Sequence, residues 1–363
     1  MKNLFSKKIE PDWDSFINCI NRKSTPNRVH NIELFLDIEI QNAVCKNFNL
    51  LDNLNSSDPY FHEKKQIQIQ RFLGYDYVTA GLENMDFLLA FSTTDDTAEN
   101  AHKDGRSYID ESKGPITNWE EFEKYPWPDP EKASTRMLEW YNKNLPDDMC
   151  IIAGGCFGHI AEHLCWLMGY ETLCYALFDN RDLVKAVYDK LMEIYIPAIK
   201  LTLQFDRIKA VWGSDDMGFK TGTLISPDDL REFVLPSHKI IAEFSHKHGK
   251  PYLLHSCGNL TDIMDELIND VKIDAKHSFE DTIEQVTDAK SNYGDKISLL
   301  GGIDVDFLCN ANEDAIRKRV RKTLEICMPG GGYCLGTGNS VANYIPLENY
   351  LIMLDEGRNF ELA

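Results

Sequence analysis

The chain has no uninterrupted apolar run near the roughly 18 residues a membrane-crossing helix needs, and its charged N-terminus carries no signal-peptide pattern. Its ten cysteines are scattered without the regular spacing of a disulfide scaffold, which points to a reduced, cytoplasmic setting. No Gly-x-Gly-x-x-Gly follows an early strand, so the usual dinucleotide fingerprint is missing. Gly330-Gly331-Gly332 precedes an apolar segment instead of opening a helix, a poor phosphate cradle. Positive charge is also scarce. Lys and Arg total 38 against 58 Asp and Glu, a net charge of −20, which argues against nucleic acid or an anionic membrane as partner. It also weakens the case for a highly anionic substrate.

What is present is a soluble-protein composition, 43% hydrophobic and 26% charged over 363 residues, enough for a large core. Residues 1–25 read as an N-terminal helical extension around Pro11-Asp12-Trp13-Asp14-Ser15-Phe16. Asn31–Leu36 is a candidate first strand and Tyr75–Thr79 a second. The stretch 103–130 holds Gly105, Gly114 and several prolines, and reads as an irregular excursion with a hairpin near Arg106–Ile109. From Cys150 the rhythm is regular. Strands are predicted at 150–154, 210–212, 252–255, 273–277, 297–301 and 333–335, each separated by a helical pattern. Ser226-Pro227-Asp228-Asp229 opens one of those helices with a Ser cap, Pro in the first turn and acids at the positive end of the dipole. Alternating strands and helices imply parallel pairing through crossovers. About eight such units predict a single α/β domain over residues 26–363, a (β/α)8 (TIM) barrel.

A barrel of this kind gathers its functional groups at the carboxyl ends of the strands. Those ends carry Cys156, Asp215 and Asp216, His255 and Cys257, His277, Asp304, and Asn339 just past the last strand. The richest segment is Pro251-Tyr252-Leu253-Leu254-His255-Ser256-Cys257-Gly258. Strand side chains alternate, so His255 and Cys257 point to one side, and imidazole with thiolate is a zinc pair. Candidates for a third ligand are Cys334, His277 and an acid of the Asp215-Asp216 pair. An alternative role for the acids and His277 is proton handling or orientation of a ligand histidine. Cys156, followed three residues later by His159, offers a weaker nucleophile reading and a place in the substrate pocket. Zinc with an open position activates either a thiol or a water, and a sulfur ligand favours the thiol.

The segments Gly213-Ser214-Asp215-Asp216-Met217-Gly218, Leu224-Ile225-Ser226-Pro227, His255-Ser256-Cys257-Gly258, Gly301-Gly302-Ile303-Asp304, Pro329-Gly330-Gly331-Gly332-Tyr333 and Pro346-Leu347-Glu348-Asn349, in that order, resemble the uroporphyrinogen decarboxylase-like superfamily. The resemblance implies a (β/α)8 barrel. Its decarboxylases hold a polycarboxylate tetrapyrrole through an Arg-rich N-terminal segment, whereas Asn31–Glu39 here contains acids and no Arg. The other branch, the methylcobamide:thiol methyltransferases of coenzyme M type, binds zinc through a His-x-Cys and a distant Cys. His255 and Cys257 match the first two, and Asn339 stands where the third would be. The resemblance therefore implies a zinc-dependent corrinoid-linked methyltransferase acting with a methylcobamide on a separate carrier protein. Asn339 and Cys156 would line its substrate pocket. The alternatives are a metal-independent decarboxylase and a non-catalytic tetrapyrrole-binding protein.

Overall fold

The sheet is made of short apolar segments that are buried on both faces, the pattern expected when helices cover a parallel sheet. A computed structural model describes residues 4–96, 98 and 105–361; residues 103 and 104 of the predicted excursion, and residues 1–3 of the predicted extension, lie outside them. Seven parallel strands form one curled sheet in chain order: β1 (Tyr77–Ala80), β2 (Cys150–Ala153), β3 (Ile208–Ser214), β4 (Tyr252–His255), β5 (Ala275–His277), β6 (Ser298–Leu300) and β7 (Tyr333–Cys334). Helices fill the crossovers, among them Ile160–Met168 and Arg181–Thr202 between β2 and β3, and Pro227–Phe233 with Leu235–Lys247 between β3 and β4. The architecture is the TIM-barrel type expected from the alternation.

The eighth position differs from the expected strand. Asn31 and Leu36 form isolated parallel bridges with Leu335 and Val341, and the residues between them do not join a ladder. The reason lies in a side chain. Tyr77 Oη accepts the Glu33 amide at 2.9 Å and donates to the Glu33 carbonyl at 3.0 Å. A phenol thus satisfies groups that a neighbouring strand would otherwise pair.

The helix Trp13–Ile20 lies across the amino ends of the strands. Phe16 stacks on Tyr77 with centroids 5.4 Å apart, the Gly332 amide donates to the Cys19 carbonyl at 3.0 Å, and Ser298 Oγ donates to the Ile20 carbonyl at 2.5 Å. This end of the barrel is plugged, which leaves the carboxyl end for chemistry. The hairpin predicted near Arg106–Ile109 forms, antiparallel with Phe91–Thr94. The predicted cap at Ser226 is also made, its Oγ accepting from the Asp229 amide at 3.1 Å. The helix it starts breaks at Val234 and resumes at Leu235, one residue before Pro236.

Candidate functional site

His255 ends β4 and pairs in register with His277, which ends β5. Neighbours in register place their side chains on the same face, so the two rings meet, Nδ1 to Nδ1, at 2.7 Å. The chain then leaves β4 through Ser256, whose hydroxyl turns the other way and accepts the Met217 amide at 3.0 Å. Cys257 follows on the His255 side. The turn depends on Gly258, which has φ +84° and backs onto Gly218; a Cβ there would lie 2.1 Å from the Gly218 carbonyl carbon. This contact ties the loop after β4 to the loop after β3, and so brings Asp216 to Cys257.

Three unlike donors converge. Asp216 Oδ1 accepts the Cys257 amide at 2.9 Å and lies 3.3 Å from His255 Nε2, while Cys257 Sγ lies 3.5 Å from the same nitrogen. Ligand atoms from all three residues fall within 4.8 Å of one another. Tetrahedral zinc with bonds of about 2.0–2.1 Å to nitrogen and oxygen and about 2.3 Å to sulfur needs N–O and N–S edges of roughly 3.3 and 3.5 Å. The set fits such an ion, and three protein ligands leave one position open.

The electrostatics agree with that fit. Burial, and the Asp216 carboxylate alongside, push the Cys257 thiol up to about 12, against the opposing effect of donors from Ser278 and Asn339. Burial would also raise Asp216, but its bonds to His255 and Cys257 prevail and hold it at about 2. A cation at this point relieves the repulsion between carboxylate and thiolate. Burial, then the neighbouring His255 and Lys276, keep His277 well below the ordinary imidazole range. A neutral His277 can accept at Nδ1 from His255 Nδ1–H; with that bond kept, loss of the Nε2 proton that faces Asp216 would free His255 Nε2 to act as a ligand.

Asn339 reaches this group from the loop after β7. Its Nδ2 donates to Cys257 Sγ at 3.2 Å, and its Oδ1 accepts from the Ser340 amide at 2.9 Å. The nitrogen, not the oxygen, therefore faces the sulfur. Asp304 is turned away to cap the helix Val305–Asn310, accepting the Phe307 amide at 2.9 Å.

Three further predicted residues are not brought to the group. Cys334 is fully buried in β7 with its thiol against Cys19 of the N-terminal helix. Asp215 is fully buried and accepts from the Ala161 and Glu162 amides and from His238 Nε2, each at 2.9 Å. It serves the start of the helix Ile160–Met168 and the helix Leu235–Lys247. Cys156 is buried within the loop after β2, its thiol raised to about 11 by burial.

Two clefts adjoin the site. One, of about 810 Å³, is lined by Asn339, Phe279, Asp304, Asp306, Phe307 and Tyr344 among others. The second, of about 450 Å³, opens at the strand ends over Leu34, Phe35, Gly154, Trp212 and Ser214; Trp212 packs edge-on to His277 at 5.7 Å. Among the described residues lining the second cleft, His159 is the one titratable side chain, and it shares a 2.7 Å hydrogen bond with Glu162. Burial disfavours a charged ring there, but Glu162 outweighs it and raises His159. Sequence reading named His159 only as a neighbour of Cys156 and missed Glu162. The i, i+3 spacing across a helix start was the available signal.

The sequence profile of uroporphyrinogen decarboxylase (URO-D) matches residues 107–360. The chain belongs to the URO-D family. A methylated-thiol–coenzyme M methyltransferase of Methanosarcina mazei is 29% identical over 157 residues, 42% of this chain and 40% of that protein. The matched region thus spans well under half of that relative's length. A solved structure of a methyltransferase from Methanosarcina mazei superposes with a TM-score of 0.65 at 16% identity, covering 95% of this chain and 97% of the other. That likeness establishes the shared fold. Both relatives are methyltransferases, the branch to which the His-x-Cys pair points.

Proposed function

We propose that this member of the URO-D family is a zinc-dependent, corrinoid-linked methyltransferase. It moves a methyl group between a methylated cobamide on a partner protein and a thiol or similar acceptor. The observation that carries this reading is the convergence of Asp216, His255 and Cys257, with nitrogen–oxygen and nitrogen–sulfur separations of 3.3 and 3.5 Å. In this assignment Asp216 is the third ligand, and Asn339, at the position of the expected Cys, is a donor to Cys257 Sγ. The methyltransferase relative of 29% identity supports the same reading.

Zinc held by Asp216, His255 and Cys257 would supply the Lewis acidity that makes a thiol nucleophilic near neutral pH. The chain's own residues do the rest. His277 holds the His255 ring through the Nδ1–Nδ1 bond. Asn339 steadies the Cys257 sulfur. Trp212, Leu34 and Phe35 give the adjoining cleft an apolar wall against which a small acceptor could lie. His159, paired with Glu162, holds a proton at the wall of that cleft. The lining contains no Lys or Arg among the described residues, a poor match to a polycarboxylate tetrapyrrole. No helix among the described residues is long and apolar enough to cross a membrane.

Elemental analysis of protein purified without chelator tests the assignment, wild type beside Cys257→Ser and Asp216→Ala. The expected result is about one zinc per chain in wild type and loss in both variants, together with methyl transfer from methylcobalamin to a thiol by wild type alone. Unchanged turnover in Cys257→Ser and His255→Ala would overturn the mechanism. Full zinc retention in Asp216→Ala would remove Asp216 from the ligand set.

A further inference from the structure

Glu33 is 2% exposed, and no ion pair to it forms among the described residues. Its carboxyl meets one residue twice. Oε1 accepts the Thr337 amide at 2.8 Å, and Oε2 lies 2.6 Å from Thr337 Oγ1. The same Thr337 hydroxyl lies 2.9 Å from the backbone carbonyl of Asn339. A hydroxyl has one proton to give, and a carbonyl can only accept. If Glu33 were ionised, two acceptors would compete for that proton, and either the Asn339 carbonyl or one oxygen of the buried carboxylate would go without it. If Glu33 carries the proton, every group is satisfied: Glu33 donates to Thr337 Oγ1, Thr337 donates to the Asn339 carbonyl, and the Thr337 amide donates to Oε1.

We propose that Glu33 is a neutral carboxylic acid in the native protein and acts as a positioning residue, relaying its proton's hydrogen bond through Thr337 to fix Asn339 against Cys257.

The surroundings favour this state. Gly336 presses so closely on the 31–36 segment that a Cβ would lie 1.9 Å from the Ile32 carbonyl oxygen and 3.2 Å from Glu33 Oε1, so backbone closes one side of the carboxyl. Tyr77 Oη is engaged by the Glu33 backbone, and the hydroxyls of Tyr75 and Tyr350 bond each other at 2.5 Å. Among the charged and titratable residues sharing a cavity with Glu33 are His62, Glu63, Lys65, Glu83 and Arg136. Its two cations are committed, Arg136 to Glu63 and Glu83 at 2.9 and 2.6 Å and Lys65 to Asn42 at 2.7 Å. Burial, only partly offset by the Thr337 bonds, raises the Glu33 carboxyl to about 8. The inference holds whether or not the metal site is loaded, so its failure and that of the methyltransferase reading are separable.

Infrared difference spectroscopy of wild type against Glu33→Gln tests the protonation state. A protonated-carboxyl band is expected in wild type at neutral pH, absent from the variant and lost with a midpoint near pH 8. Its absence at neutral pH would overturn the proposal. Hydrogen exchange of the 336–340 loop, read by mass spectrometry, tests the positioning role. Gln can donate to Thr337 Oγ1 and accept its amide, so Glu33→Gln should exchange like wild type. Thr337→Val and Glu33→Ala should exchange faster by about fivefold, the loss of one net hydrogen bond. A loop loosened equally by Gln and Ala would show that the carboxylate form does the holding. Should Glu33→Ala fail to fold, Thr337→Val and the infrared band still decide the matter.

Discussion

Asp215 accepts three hydrogen bonds in full burial, whereas Asp216, one residue on, turns a carboxylate toward His255 and Cys257. The two therefore predict different losses. Asp215→Asn leaves amides at a helix start and His238 without their anionic acceptor, and should cost roughly 2–4 kcal/mol in chemical denaturation. Asp216→Asn should leave the stability of the metal-free protein within about 1 kcal/mol while reducing zinc retention. Glu33 makes a prediction of opposite sign from that of a salt-bridged acid. Its folded pKa of about 8 lies above the ordinary 4.5. Between those values the native state keeps a proton that the unfolded chain has released, so stability falls as pH rises through that window. The loss is on the order of a few kcal/mol, and Glu33→Gln should flatten the slope when denaturation midpoints are followed from acid to mildly alkaline pH.

At the scale of elements, the site depends on loops held by contacts between them. The loop after β4 meets the loop after β3 at Gly258 and Gly218, with no space for a Cβ and with Gly258 at φ +84°. Gly258→Ala should therefore cost about 2 kcal/mol or more through strain and displaced backbone and should release zinc, although no ligand is altered. Ser226→Ala offers the contrast. It removes the cap on Pro227–Phe233 and should cost about 1 kcal/mol with the metal content unchanged. A large drop in zinc in Ser226→Ala would mean that the helix, and not the loop contact, orients Asp216.

For the whole molecule, the N-terminal helix closes one end of the barrel and leaves the other for chemistry. Phe16, Cys19 and Ile20 are fully buried, and Ser298 and Gly332 at the starts of β6 and β7 bond to its carbonyls. We expect a chain lacking residues 1–25 to lose about 5 kcal/mol or more of apolar burial, and to be recovered mainly as aggregate. A soluble, cooperatively unfolding truncation would show that residues 1–25 are an appendage to the barrel. The acidic surface belongs to this scale too. A net charge of −20 should slow capture of an acidic partner at low salt, and raising the ionic strength should speed it.

Much of the fold, and two of the three members of the proposed metal group, were legible in the chain because they rest on local rules. Strand-and-helix alternation called for parallel pairing, the two-residue spacing put His255 and Cys257 on one side, and the Ser226-Pro227 start announced its helix. The rest depended on distant partners. Which of two adjacent acids faces the sulfur is decided by a helix N-terminus more than fifty residues earlier and by His238 later in the chain. Cys334 had the right chemistry but stands on β7 with its thiol against Cys19, some three hundred residues away in sequence. The 31–36 segment had a strand's pattern and was diverted by the hydroxyl of Tyr77. Periodicity determined the barrel and the direction of its side chains. Only the tertiary structure decided which carboxylate turns to His255 and Cys257 and which carboxyl is buried against Thr337, since packing and hydrogen-bond partners set both, and neither is a property of neighbours in sequence.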